Sequence, residues 1–223
     1  MAEVEALPAA SVLVLRPGDG GAPLEVLMLR RSAEASFVPD AWVFPGGMLE
    51  DLDRELAHEY GDDTLLGAMR VAAARELFEE TGVWLGEPLE DAEHKRRRLL
   101  AGSLSFRTLL SESPIDFSQL VWTSHWITPF GVPKRFDTYF FLAQVSRDVR
   151  ATAENTEAVD VIWIAPEEAL ERRQEMRMVF PTLRNLEAIR GYESAAALLA
   201  SRAGVEIPAI QPAIVDGKIT LTR

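Results

Sequence analysis

Glu76, Glu79 and Glu80 stand at i, i+3 and i+4 in the run Arg75-Glu76-Leu77-Phe78-Glu79-Glu80-Thr81-Gly82-Val83. On a helix that spacing puts three carboxylates on one face. Like charges so close repel, and a helix gains nothing from them unless something cationic sits among them. A hard divalent cation with oxygen ligands, such as Mg²⁺, is the natural occupant. Upstream, Phe44-Pro45-Gly46-Gly47 reads as a tight turn that brings bare backbone close to that face. The plain alternative is an acidic helix face left to solvent, as for any charge run.

The elements that must position these groups follow from periodicity and punctuation. The helix is expected to start at Asp63 or Thr64, both good N-caps, and to stop at Gly82. Val71, Ala74 and Phe78 fall on its core face, and Ala72 and Ala73 leave room for the Gly46-Gly47 turn. Apolar runs at 10–16 and 24–30, separated by the turn cluster 17–23, predict a hairpin. A short strand at 41–44 leads into the glycine turn. Further strands are expected at 120–127, 134–143 and 158–164, and helices over 87–113, from Pro166, from Phe180 and over 194–203. Val215-Asp216-Gly217-Lys218 is a hairpin signal.

The chain has 223 residues, 48% of them apolar, enough for one large domain with a sizeable core. Its net charge of −12 argues against nucleic acid or an anionic membrane as a partner. Cysteine is absent, which excludes disulfides and thiolate metal sites and fits a reducing cytoplasm. The N-terminus is acidic and unlike a secretory signal, so the expected location is cytoplasmic. His58, His94 and His125 are scattered without ligand spacing and read as structural.

Cations near these elements have two readings each. Arg30 and Arg31 either touch substrate or flank a strand end. Arg135 either forks onto phosphate oxygens or pairs with a carboxylate such as Asp137. The run His94 to Arg98 reads as a solvated helix face.

The pattern from Gly47 to Val83 resembles the Nudix box, G-x5-E-x7-R-E-U-x-E-E-x-G-U with U aliphatic. Its second half, Arg75 to Val83, matches at every specified position. Its first half departs: 27 residues, 48–74, separate Gly47 from Arg75, with the excess in the polar stretch 51–66, and Asp53 stands where the first glutamate belongs. The resemblance implies an α/β (α+β) chain, a Nudix α/β/α sandwich with a mixed β-sheet, as one domain over 8–223 with a box insertion at about 51–66 and a helical insertion at about 87–113. It implies Mg²⁺ or Mn²⁺ held by Glu76, Glu79, Glu80 and the Gly46 carbonyl, Arg75 as an orienting group, and Glu76 or Glu157 as general base, with Glu154 the fallback. Arg30, Arg31 and Arg135 are the substrate-binding candidates.

Within the family, Leu29-Arg30-Arg31-Ser32 before Phe37, Val43 to Gly47, the long insertion and Arg135-Phe136-Asp137-Thr138 are similar to the acyl-coenzyme A diphosphatase branch that includes peroxisomal proteins. The terminal Leu221-Thr222-Arg223 lacks the peroxisomal Ser-Lys-Leu address. The expected reaction is hydrolysis of coenzyme A or acyl-coenzyme A to 3′,5′-ADP and (acyl-)4′-phosphopantetheine. ADP-ribose, a nucleotide sugar or a dinucleoside polyphosphate is the alternative substrate, and a non-catalytic nucleotide sensor is the alternative role. The expected partner is a small nucleotide, without nucleic acid or membrane, and a homodimer is left open.

Overall fold

The computed structural model describes residues 4–35, 38–154 and 156–221, so Phe37 and the final Thr222-Arg223 lie outside the described residues. Among the described residues, ten strands and seven α-helices are formed, in the order β1 (Ala6–Pro17), β2 (Leu24–Arg31), β3 (Trp42–Val43), β4 (Gly46–Met48), α1 (Asp51–Glu59), α2 (Leu65–Thr81), α3 (Ala92–Leu100), α4 (Phe106–Glu112), β5 (Val121–Ile127), β6 (Arg135–Gln144), β7 (Ala158–Ile164), α5 (Pro166–Glu171), α6 (Phe180–Ile189), α7 (Ala195–Ser201), β8 (Ala209–Ile210), β9 (Ala213–Val215) and β10 (Lys218–Thr220).

The spine of the main sheet is the parallel pair β1–β6, in register from Ala6↔Arg135 to Leu15↔Gln144. Strand order is β3-β2-β1-β6-β5-β8, with β4 beside β1 and β7 beside β2. The other edge of β1 is shared. Leu15 to Pro17 pair with β2, whereas Ala9 to Ser11 pair with β4. This split wedges the glycine turn between β1 and α2, and Pro45 O fixes it by accepting from Val12 N and Ser11 Oγ, both at 2.9 Å.

Side chains alternate across the sheet with period two. Val12, Val14, Phe141 and Ala143 face a core shared with α1, α2 and α4. Leu13, Leu15, Phe140 and Leu142 face a second core under α5, α6 and α7. The architecture is therefore helices on both faces of a mixed sheet.

Helix α2 forms as its sequence dictates. Thr64 Oγ1 accepts from Gly67 N at 3.0 Å, one of the donors left open at a helix start. Gly82 closes it in the left-handed region at φ 73°, where a side chain would be strained. Val71, Ala74 and Phe78 are fully buried; burying a side chain such as Phe78 contributes about 1.5–3 kcal/mol.

Two stretches differ from expectation. The polar 51–66 segment is not a plain loop. It folds as α1, whose capping box joins Glu50 and Asp53 and whose Leu56 and Ala57 reach the core. The 87–113 segment is two helices, α3 and α4, interrupted at 101–105 where Ser105 caps α4.

Candidate functional site

Arg75 is the hub. It is buried, and it donates from Nε and Nη2 to the two oxygens of Asp53 at 2.9 Å each, a bidentate fork. Its Nη1 donates to Glu76 at 2.9 Å and Glu79 at 3.0 Å, and Nη2 also reaches Met48 O at 3.0 Å. Glu50 stands 3.8 Å away. Burial alone would weaken the guanidinium's hold on its proton. The hydrogen bond to Asp53 and the charges of Glu76, Asp53 and Glu79 outweigh it and drive the pKa up. Asp53 is wholly buried and also accepts from Glu50 N at 2.9 Å. It thus stands at the position of the first box glutamate and pairs with the box arginine, with α1 accommodating the longer spacing.

The three glutamates end α2 in a place that disfavours their charge. Burial pushes the Glu76 carboxyl up to about 7, against the pull of Arg75. Glu79 is raised for the same reason. Glu80 is raised well above the usual carboxylate range, by burial first and then by the charge of Glu76, although Gly46 N donates to it at 2.8 Å. The backbone comes close because there is no side chain in the way: a Cβ on Gly47 would overlap the Glu76 carboxylate.

The donor chemistry fits a hard divalent cation. The groups are carboxylate oxygens, each short of counter-charge, against bare glycine backbone. As they stand, Glu76 and Glu79 turn to Arg75 and Glu80 to Gly46 N. Among the described residues, no three His, Cys, Asp or Glu side chains are gathered as a metal-ligand set.

One cavity of about 1330 Å³ runs over this surface. It brings together Gly46, Arg75, Glu76, Glu79 and Glu80 with Arg31, Glu154 and Glu157 from the neighbouring loops. Arg31 Nη2 lies 4.0 Å from Glu157, whose carboxylate is 72% exposed. Glu154 turns to the backbone, accepting from Thr156 N, Ala158 N and Glu157 N.

Two candidate cations lie elsewhere. Arg30, where the register of β2 shifts before Arg31, is held by Asp40 at 2.6 Å, off the cavity wall. Arg135 is buried and neither lines the cavity nor pairs with Asp137. Its donors go to Thr128 O at 3.1 Å and Val4 O at 2.6 Å, with its guanidinium 4.0 Å over the Phe130 ring. Asp137 instead pairs with His125. Lys134, one residue earlier, does line the cavity.

The basic run on α3 departs from a solvated face at one position. Arg96 is buried, whereas Lys95 pairs with Glu112 at the surface. The spacing Glu50-x-x-Asp53 was the sequence signal for the cap that feeds Arg75. Nothing in the sequence pointed to the cavity wall supplied by Leu100 and by the hairpin β9–β10.

The sequence matches the family model of the NUDIX domain over residues 6–183. The chain belongs to the NUDIX family, a family of hydrolases acting on diphosphates. A NUDIX hydrolase structure from Alicyclobacillus acidocaldarius superposes with a TM-score of 0.79 at 27% identity, covering 89% of this chain and 97% of that one. The putative nudix hydrolase 7 of Caenorhabditis elegans is 30% identical, covering 70% of this chain and 52% of that protein. The acyl-coenzyme A diphosphatase NUDT19 of Xenopus laevis is 28% identical, covering 70% and 57%. The chain therefore spans little more than half the length of these curated relatives. No helix among the described residues is long and apolar enough to cross a membrane.

Proposed function

We propose that the chain hydrolyses the central diphosphate of coenzyme A or an acyl-coenzyme A, giving 3′,5′-ADP and (acyl-)4′-phosphopantetheine. The observation that carries this reading is the make-up of the cavity. Carboxylates occupy its floor, while Leu7, Met48, Leu100, Ile214 and Ile219, 43–50% exposed and drawn from five elements, fringe it. Exposed apolar side chains gathered round one cleft favour a ligand with an apolar arm. Similarity to acyl-coenzyme A diphosphatases adds to it.

Glu76, Glu79, Glu80 and the Gly46 carbonyl are the groups to hold Mg²⁺ or Mn²⁺, which when bound polarises the diphosphate and acidifies a water. Glu157 or Glu76 takes the proton of the attacking water. The new P–O bond forms as the bridging P–O bond breaks, and the leaving phosphate carries the electron pair. Arg75 holds the carboxylates in place and Arg31 meets phosphate oxygens from the opposite wall.

Coenzyme A carries a 3′-phosphate that ADP-ribose lacks, and Arg31 and Lys134 are the candidate cations on the cavity wall. A charge-assisted contact to it is worth about 1.5–3 kcal/mol, or roughly 10- to 150-fold in kcat/KM. We expect coenzyme A to exceed both dephospho-coenzyme A and ADP-ribose by that margin. Equal rates on dephospho-coenzyme A remove the 3′-phosphate argument; ADP-ribose as the best substrate overturns the proposed reaction.

A further inference from the structure

The last turn of α2 carries Glu79 and Glu80 and has no basic residue of its own. Acidic groups at a helix C-terminus face the negative end of the dipole, so the position calls for a cation from elsewhere. Arg96 supplies it from α3. Its side chain is 2% exposed. Nε donates to Glu79 O at 2.9 Å, in the peptide between two of the carboxylates. Nη1 donates to both Thr152 O and Thr152 Oγ1 at 3.1 Å. Thr152 closes the loop by donating its own N–H to Thr81 O at 3.0 Å. Glu93 is 3.6 Å from Nη1 on the solvent side, and the charges of Glu154 and Glu80 also act on the guanidinium. Among the described residues, Nη2 is buried without a hydrogen-bond partner.

We infer that Arg96 is a positioning residue that fixes the carboxylate end of α2 relative to the segment carrying Glu154 and Glu157. The inference rests on the proposed diphosphatase reading for its kinetic part only. Two facts take Arg96 beyond a packing role. A buried guanidinium with an open donor is costly, so a purely apolar filler of the same volume would serve stability as well or better. Its donors also go to the main chain of two separate segments, at Glu79, one residue from Glu80, and at Thr152, two residues from Glu154. Glu154 in turn accepts the N–H of Glu157. A shift at Thr152 therefore passes through Glu154 to the carboxylate that faces Arg31.

The test compares Arg96→Met, Arg96→Lys, Thr152→Val and a core control, Leu109→Ala, whose side chain is buried on α4 in the apolar core that α2 shares. With coenzyme A and Mg²⁺, Arg96→Met is expected to lower kcat about 10- to 100-fold with KM within about threefold, and Arg96→Lys to recover part of the loss. Thr152→Val, which keeps the carbonyl acceptor, is expected to lower kcat about three- to tenfold. Leu109→Ala is expected to lower Tm while kcat at a permissive temperature stays within about twofold. In parallel, hydrogen exchange without substrate is expected to speed up at the amides of Thr152 and Thr156–Ala158 in the Arg96 and Thr152 variants, and not in the control. If Arg96→Met does not fold, Arg96→Lys and Thr152→Val carry the test. Unchanged kcat in both, or unchanged exchange at those amides, overturns the inference. A wild type inert on coenzyme A removes the proposed reaction, and the exchange pattern then decides the positioning role by itself.

Discussion

Arg75 and Arg135 are both buried, both near the cavity, and held by opposite kinds of acceptor. Arg75 meets carboxylates: Asp53 through a fork, Glu76 and Glu79 through one nitrogen. Arg135 meets the carbonyls of Thr128 and Val4 and the face of Phe130. Main-chain carbonyls carry no charge and do not titrate, so Arg135 ties the start of β6 to the chain before β1 and to the turn before it. Carboxylates do both, so Arg75 holds groups that are available for chemistry. The acceptor, more than burial or charge, separates an arginine that serves a site from one that serves a strand end.

The sharpest way to break this contrast is on the carboxylate side. Glu79→Gln or Glu80→Gln should abolish metal-dependent turnover with the fold retained, at a cost of several kcal/mol in transition-state stabilisation, roughly a thousandfold or more. Steady-state rates within about threefold of wild type for both variants would sink the assignment. Next in size, Arg75→Met should leave Asp53 buried without its partner and lower stability by about 3–5 kcal/mol, read by denaturant unfolding. A smaller loss would mean that Glu50 N and water satisfy Asp53 unaided.

The third comparison is with pH. A carboxyl whose pKa is raised on folding stabilises the native state most below its unfolded value. That contribution is lost as pH rises through the folded value. For Glu76, whose carboxyl is pushed up to about 7, metal-free stability should therefore fall between about pH 4.5 and 7, by roughly 1–3 kcal/mol. Added Mg²⁺ should flatten or reverse the slope, because ionised carboxylates bind it better. A flat metal-free profile in that window counts against the buried, under-compensated carboxylates. The smallest effect is expected at Arg135→Lys: Tm lowered by an amount equivalent to about 1 kcal/mol, from one lost hydrogen bond, with KM unchanged. A raised KM at constant Tm would return Arg135 to the substrate.

The residues that were readable in sequence are those whose partners lie on the same helix. The i, i+3, i+4 spacing of Glu76, Glu79 and Glu80, the Thr64 cap and the Gly82 stop all depend on local geometry, and α2 has them where periodicity puts them. The sheet was readable as well, because strand runs alternate and turns are punctuated. Arg96 was not. One member of a basic run is buried only because α3 lies against the end of α2, a contact with no local signature. Arg30 and Arg31 carry identical side chains, and at the irregularity of β2 between them one is held by Asp40 while the other lines the cavity. Arg135 misled because its acceptors are main-chain carbonyls, which every residue offers.

Asp53 and Arg75 are separated by 22 positions along the chain and by 2.9 Å in space. The excess residues fall behind the pair, as the rest of α1 and the turn Tyr60–Thr64, and leave its geometry alone. That turn is exposed at Gly61 and pinned on its far side by Asp62, which accepts from Thr64 N at 3.1 Å and pairs with Arg70 at 3.2 Å. Closing a longer flexible loop costs only about 0.6 kcal/mol for each doubling of its length. For an engineer the turn is a splice point: an affinity tag or reporter peptide set after Gly61 would extend a segment that already faces solvent and leave the Asp53–Arg75 pair in place.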